Sequence, residues 1–269
     1  MINVVVIGAA GRMGCRLVSN IAANPNLNLV GAIEYAQSPK LGEDAGTVAG
    51  IGAVNVPVSA DINAVFAAVK VDVVINFATT GAVEYAALAA QHNAASVIGV
   101  TAMSQEGKAA LKQLCDNGAR MVVTGNMSMG VNLLFKLVQE AASVLGEDFN
   151  VEIVEMHHNQ KLDAPSGTAV QLGEAVCRGR NWNYDEVVIP GRSGKVGKRP
   201  LHEIGMHALR GGDVVGDHTV IFAANGERLE LTHKASSRDT FAKGALRAAE
   251  FLVSAAPGMY DMQDVLKLK

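Results

Sequence analysis

The sequence predicts an α/β protein in two parts, and three observations carry that prediction. Short β-branched runs at 3–7, 29–33, 72–77, 96–100 and 120–124 alternate with alanine-rich stretches near 12–23, 82–92 and 104–117. That rhythm belongs to a doubly wound parallel sheet with helices on both faces. A glycine string, Gly8-Ala9-Ala10-Gly11-Arg12-Met13-Gly14, follows the first run directly and opens the first helical stretch. Beyond residue 126 the order changes: runs at 203–209, 218–224 and 227–233 succeed one another with no helix between them. This predicts a second, α+β domain with an open, mainly antiparallel sheet.

Composition bounds the function. The 269 residues suit one large domain or two modest ones, at ~100–200 residues each. With 49% hydrophobic and 18% charged residues, the chain has ample core material and no signature of disorder. The formal charge of −3 and the 4% aromatic content argue against a nucleic-acid or membrane-surface partner. Cys15, Cys115 and Cys177 show no CxxC spacing, which points to a reducing compartment and away from a disulfide framework or zinc ribbon. The N-terminus lacks a cationic leader and runs straight into the glycine string, so a cytoplasmic location is expected.

Taken in order, the first-half runs are apolar at consecutive positions, as buried parallel strands require. From 130 to 146, Leu134, Leu137, Val138, Ala141 and Leu145 recur at 3–4 spacing and predict a helix with one buried stripe. A strand at 151–156 follows, then a polar loop ending in Asp163-Ala164-Pro165-Ser166-Gly167, then a helix over 168–177. The segment 191–200 carries Arg192, Lys195, Lys198 and Arg199 among three glycines, which predicts a mobile cationic loop. A last helix spans 240–254. The implied division is a dinucleotide-binding domain of 1–127 and 239–269, and a substrate-binding and oligomerisation domain of 128–238.

The glycine string is a Rossmann-type feature. Its glycines let the backbone turn sharply and approach a pyrophosphate, whose charge the helix N-terminus then holds. The spacing is GxxGxxG, since Ala10 takes the usual middle position, and a tight turn without ligand is the competing explanation. The strand–turn–helix context and Glu34, 20 positions after Gly14 at the end of the second run, favour a dinucleotide. An acid there hydrogen-bonds the adenosine ribose. Thr79-Thr80-Gly81, Gly99-Val100-Thr101 and Thr124-Gly125-Asn126-Met127 end the later runs. Each either borders the cofactor or is a plain loop.

The densest chemistry lies from Glu155 to Ala169, around His157, His158 and Lys161. Two histidines and a lysine at a strand end can supply protons near neutral pH and hold an anion. Ser166, Gly167 and Thr168 offer hydroxyl and backbone donors at a helix start, a natural carboxylate site. Adjacent histidines on a strand face opposite ways, so one of the pair can be structural. The spacing is neither HExxH nor a cysteine–histidine set, and no metal is expected. His92, His202, His207, His218 and His233 have no comparable company and read as structural.

Over nearly its whole length the chain resembles the 4-hydroxy-tetrahydrodipicolinate (dihydrodipicolinate) reductase family of lysine and diaminopimelate synthesis. The resemblance rests on residues 6–14, Asn76-Phe77-Ala78-Thr79, residues 126–132, Glu155-Met156-His157-His158 through Thr168, residues 210–218 and Leu231 through Arg238. It implies NAD(P)H-dependent reduction of a cyclic dicarboxylate imine, with His157 as proton donor/acceptor and Lys161 as proton donor. His158, Gly167 and Thr168 would contact the substrate. Gly8, Ala9, Ala10, Gly11, Arg12, Met13, Glu34, Gly99, Val100, Thr101, Thr124, Gly125, Asn126 and Met127 would contact the cofactor. A homotetramer is implied too. Where the family often carries a basic residue after the acid, this chain has Tyr35. A phenol does not neutralise a 2′-phosphate, so NADH is the expected cofactor and NADPH the alternative. The competing functions are another two-domain NAD-dependent dehydrogenase and a non-catalytic NADH-binding redox sensor.

Overall fold

The computed structural model describes residues 1–78, 80–100 and 103–269. Two compact units divide it: Met1–Met129 with Arg238–Lys269, and Gly130–Ser237.

In the first unit the valine-rich β1 (Ile2–Ile7) runs into the glycine turn and then α1 (Arg12–Ala22). That helix buries Gly14, Leu17, Val18 and Ile21, one face at 3–4 spacing. There follow β2 (Leu27–Ile33), α2 (Ala45–Ala49), β3 (Val58–Ser59), α3 (Ile62–Ala68), β4 (Val73–Asn76), α4 (Ala82–Gln91), β5 (Ala95–Ile98), α5 (Gln105–Asp116) and β6 (Arg120–Val123). Asp44, Asp61 and Ser104 cap α2, α3 and α5 by accepting backbone N–H groups.

The second unit holds α6 (Met129–Leu145, its first residue in unit 1), β7 (Asn150–His157), α7 (Gly167–Arg180), α8 (Tyr184–Val187), β8 (Val188–Pro190), β9 (Ile204–Arg210), β10 (Gly216–Ala224) and β11 (Glu227–Ala235). The chain then re-enters the first unit as α9 (Asp239–Ser254), β12 (Gly258–Tyr260) and α10 (Met262–Val265).

The first sheet has seven parallel strands in the order β12-β6-β5-β4-β1-β2-β3. The order reverses between β1 and β4, the switch point where doubly wound sheets open a crevice at their carboxyl edge. Leu17, Val18 and Ile21 of α1 and Ala245, Ala249 and Leu252 of α9 pack with Val4, Val6, Val73 and Ile75 into one core.

The second sheet runs β11-β10-β7-β9-β8. β10 is antiparallel to β11 and β7, whereas β9 is parallel to β7 and β8. The sheet is therefore mixed where a mainly antiparallel one was expected. The reason is two crossovers, α7 with α8 between β7 and β8 and the 191–203 segment between β8 and β9, each of which brings the next strand back in the same sense. β10 and β11 form a hairpin through Asn225 and Gly226, with Gly226 at φ +94°.

Two local expectations change. Helix α6 buries Val131, Leu134, Phe135, Val138 and Ala142, so Leu137 is exposed and the stripe is rotated from the predicted one. The loop near 191–200 is tied down by two of its cations. Arg192 bonds Glu152 and Glu203, and Arg199 bonds Glu152 at 2.9 Å and the Val151 carbonyl at 2.9 Å. Among the described residues, no helix is long and apolar enough to cross a membrane.

Candidate active site

The glycine turn of the first unit is built from backbone. Gly8 has φ +71°, a left-handed conformation that a side chain resists. A Cβ on Gly14 would sit 2.0 Å from the Gly8 carbonyl oxygen and 2.6 Å from Ala9 Cα, so only glycine lets α1 start against the turn. The Gly8 and Ala9 N–H groups donate to the Ile33 carbonyl at 2.8 and 3.1 Å, joining the turn to the end of β2. Ala10 N–H donates to Glu34 Oε1 at 2.8 Å. Gly11 caps α1 without a side chain, and no acidic residue lies in its first turn. A cleft of about 430 Å³ borders this turn, with Gly8, Gly11, Arg12, Met13, Glu34 and Tyr35 in its wall. Uncapped helix N–H donors, close backbone approach and an acid just after β2 suit a dinucleotide pyrophosphate and ribose.

The second unit gathers polar groups where its core ends. Along β7, Val151, Ile153, Glu155 and His157 share one face, and register places Phe222, Val220 and His218 of β10 beside the first three. The row is apolar for two residues and then turns polar. Glu155 is 0% exposed, and its carboxylate is fully engaged. Oε1 accepts Ser166 N–H at 3.0 Å and Arg210 Nη2 at 3.0 Å. Oε2 accepts Arg210 Nη1 at 2.8 Å and lies 2.6 Å from His157 Nδ1. Burial pushes the Glu155 carboxyl up, but the bonds from His157, Arg210 and Ser166 outweigh it and hold its pKa at about 2.

Ser166 links this row to α7. Its Oγ caps the helix by accepting Ala169 N–H at 3.1 Å and lies 2.9 Å from His218 Nε2. Burial first, then the charge of His157, depresses the His218 pKa to about 3, so that ring is neutral. The His157 and His218 rings meet edge-on with centroids 5.1 Å apart. Beyond β7, His158 N–H donates to the Val214 carbonyl at 2.8 Å and Asn159 N–H to Gly212 at 3.2 Å, pinning the loop that carries Lys161. Lys161 Nζ donates to Asp163 Oδ1 at 2.9 Å, and this bond holds the Asp163 carboxyl below its ordinary value.

The family model described as dihydrodipicolinate reductase, N-terminus, matches residues 2–127, and the one described as its C-terminus matches 130–266. The chain belongs to the dihydrodipicolinate reductase family. A protein of Syntrophotalea carbinolica named 4-hydroxy-tetrahydrodipicolinate reductase is 49% identical, with 100% of both chains covered. One of the same name from Pelobacter propionicus is 47% identical, again over 100% of both. In fold, the chain resembles a dipicolinate-bound dihydrodipicolinate reductase from Paenisporosarcina sp. TG-14, with a TM-score of 0.76, 24% identity and 98% of each chain covered. The family is one of NAD(P)H-dependent oxidoreductases acting on a small molecule, with an N-terminal Rossmann-type nucleotide domain. The chain is such an enzyme.

Within this reductase the predicted cofactor residues fall into two groups. Gly8, Gly11, Arg12, Met13 and Glu34 share the cleft wall, and Ala9 and Ala10 belong to the same turn. Gly99, Val100, Thr124, Gly125, Asn126 and Met127 follow β5 and β6, further along the carboxyl edge. Thr101, and Thr79 with it, lie outside the described residues. Gly99 does not leave open space. A Cβ there would meet the Phe77 ring at 2.4 Å, so the glycine makes room for that ring. Met127 is a core side chain, 1% exposed, packed against α9. Thr124 N–H donates to Ile98, holding the start of that segment to β5.

In the second unit His157 lies at the end of β7 and Lys161 in the loop beyond it, while Gly167 is exposed and Thr168 half-buried at the start of α7. Among the described residues, no group of three or more His, Cys, Asp or Glu could hold a metal ion. Sequence reasoning missed Arg210 and His218 and gave Glu155 no role; Ser166, expected as a donor to a carboxylate ligand, gives its N–H to Glu155 and caps α7 with its Oγ. His218 does have company, contrary to expectation, because β10 pairs with β7 and sets it beside Glu155. One signal was available. Glu155 continues the alternation of Val151 and Ile153, and a carboxylate on a core face requires partners.

Proposed function

We propose that the chain reduces 4-hydroxy-tetrahydrodipicolinate, a cyclic dicarboxylate, to tetrahydrodipicolinate with loss of water, using NAD(P)H with a preference for NADH. The observation that carries this reading is the polar row of Glu155 and His157 beside the start of α7, with Lys161 fixed in the adjoining loop. When bound, the dinucleotide supplies a hydride to a ring carbon.

This chain's own residues do the rest. The turn from Gly8 to Met13 and the N-terminus of α1 hold the pyrophosphate, and Glu34 orients the ribose. Gly99 and Val100, with Thr124 through Met127, border the cofactor along the sheet edge. Hydride addition builds negative charge in the conjugated imine, so a cation or proton donor beside it lowers the barrier. Lys161 fills that role and His157 shuttles the proton, a service typically worth ~10²–10⁴-fold. His158, the N–H groups of Gly167 and Thr168, and the Thr168 hydroxyl hold the two carboxylates.

In this reading 1–127 and 239–269 serve the nucleotide, and 128–238 serve the substrate and assembly into a homotetramer in the cytoplasm. The deciding experiment supplies substrate freshly from its synthase and follows the oxidation of NADH and of NADPH. Substrate-dependent oxidation, faster with NADH, is expected. Absence of turnover with intact NADH binding would refute the substrate assignment.

A further inference from the structure

We propose that Glu155, clamped by Arg210, is the positioning residue that fixes the tautomer and orientation of His157. The inference rests on the reading of His157 as the group that takes and returns the proton. A fully buried carboxylate is costly unless every lone pair is used and its charge is matched. Here both conditions hold. Arg210 grips both oxygens at 2.8 and 3.0 Å, Ser166 N–H takes a further position on Oε1, and His157 Nδ1 takes the last on Oε2. An ionised carboxylate only accepts, so Nδ1 carries the proton and the Nε2 lone pair of the neutral ring is left available.

The surroundings of Nε2 agree. It lies on the side of Gly216, where a Cβ would stand 3.0 Å away, and glycine leaves that space open. The charged or titratable groups beside the ring are Arg210 on β9 and His218 on β10, and Lys161 in the loop after β7 acts on His218. Arg210 is already neutralised by Glu155, and His218 is neutral. Glu155 is thus the acceptor that Nδ1 has, and it still accepts the Nδ1–H bond when Nε2 takes a proton. The Ser166 bond ties the same carboxylate to the start of α7, so the ring and the helix that offers Gly167 and Thr168 share one anchor.

Glu155→Gln is the test. It keeps the volume but places an N–H₂ where an oxygen stood, and whichever way the amide turns a donor faces a donor. Turned toward His157, it forces the proton from Nδ1 to Nε2. For E155Q the expected result is a fall in kcat of at least about tenfold, toward the ~10²–10⁴-fold of a lost proton group. NADH affinity should stay unchanged, and the ¹⁵N signals of His157 should move from the Nδ1–H to the Nε2–H pattern. Glu155→Asp keeps the charge and guards against a folding failure; its shorter side chain should lower kcat by less, with Nδ1–H retained. An E155Q enzyme with wild-type kcat per folded molecule and the wild-type tautomer overturns the proposal. A stability loss with no change in either readout does so too. His157→Ala tests the parent reading separately. Normal turnover in H157A overturns the proton role itself, and E155Q would then still switch the tautomer.

Discussion

Lowering the pH from 7 to 5 should destabilise the second unit through His218, and His218→Gln should remove that part of its acid sensitivity. The ring is 3% exposed, and its environment lowers the pKa from 6.5 to about 3. Burial is the largest cause, followed by the charge of His157. Between those two values the unfolded chain binds a proton that the folded protein refuses. The stability is therefore complete above about pH 6.5 and declines as the pH falls toward 3. Each pH unit inside the window is worth about 1.4 kcal/mol, and integration from pH 7 to 5 gives about 2 kcal/mol. Glu152 and Glu155 do not confuse the range. Burial raises both, hydrogen-bonded partners hold both at about 2, and their contribution is lost only below about pH 4.5.

The readout is built into the chain. Trp182, the one tryptophan, lies in the second unit, so urea unfolding followed by its fluorescence reports that unit. His202 stacks on Trp182 with centroids 5.2 Å apart, so the indole has a defined neighbour in the folded unit. Gln reaches about as far as the imidazole Nε2 and keeps a partner for Ser166. Any constant loss cancels, because the comparison is of stability change with pH. His233 is also depressed, chiefly by burial, and remains in the variant, so its profile should be shallower and not flat. An H218Q protein that loses as much stability between pH 7 and 5 as the wild type would refute the reasoning.

Lys161→Ala and His157→Ala should each cut turnover by about two to four orders of magnitude while NADH affinity, measured by fluorescence titration, hardly moves. Thr168→Val should act mainly on KM for the dicarboxylate, by the factor that ~1–3 kcal/mol represents; an unchanged KM would make the hydroxyl a structural feature only. Gly14→Ala puts a methyl 2.0 Å from the Gly8 carbonyl oxygen, and calorimetry should then detect no NADH binding while Trp182 unfolds as before. Tyr35→Arg should raise kcat/KM for NADPH selectively when both cofactors are compared at one ionic strength.

The first unit was legible because its signals are local. Consecutive apolar residues in β1, β4 and β5 and the cap Ser104 are each visible within a few positions of sequence. The elements that sequence reasoning passed over, α2, β3, α3, β12 and α10, are short and exist through partners elsewhere: β3 is two residues held to β2, and β12 three residues held to β6. In the second unit, the antiparallel β10–β11 pair followed expectation, but the parallel sense of β9 was not foreseen because it depends on where a crossover lands, not on the strand's own residues. His157, Lys161 and Thr168 could be named from their spacing. Arg210 and His218 could not, since each lies more than 40 positions beyond the site's core segment and arrives there by register. The cationic loop was misread for a similar reason, because Glu152, the anion that grips Arg192 and Arg199, lies on β7.

The proposed preference for NADH draws support from one bond that composition does not suggest. Glu34 accepts the Ala10 N–H through Oε1 at 2.8 Å, so the ribose-side acid is fastened to the phosphate-side turn. A free carboxylate could swing away from a 2′-phosphate; a fastened one stays where the extra charge would come and repels it. Its second oxygen remains able to accept from ribose hydroxyls, which suits the unphosphorylated nucleotide. Neither nearby cation readily offsets this. Lys40 is drawn to Glu43 at 3.2 Å, and Arg12 stands exposed in the turn, where salt screens it. The repulsion should weaken with ionic strength, so the NADH-to-NADPH ratio of kcat/KM should shrink from low to high salt. A ratio independent of salt would point to shape at Tyr35, and not charge at Glu34, as the source of any preference.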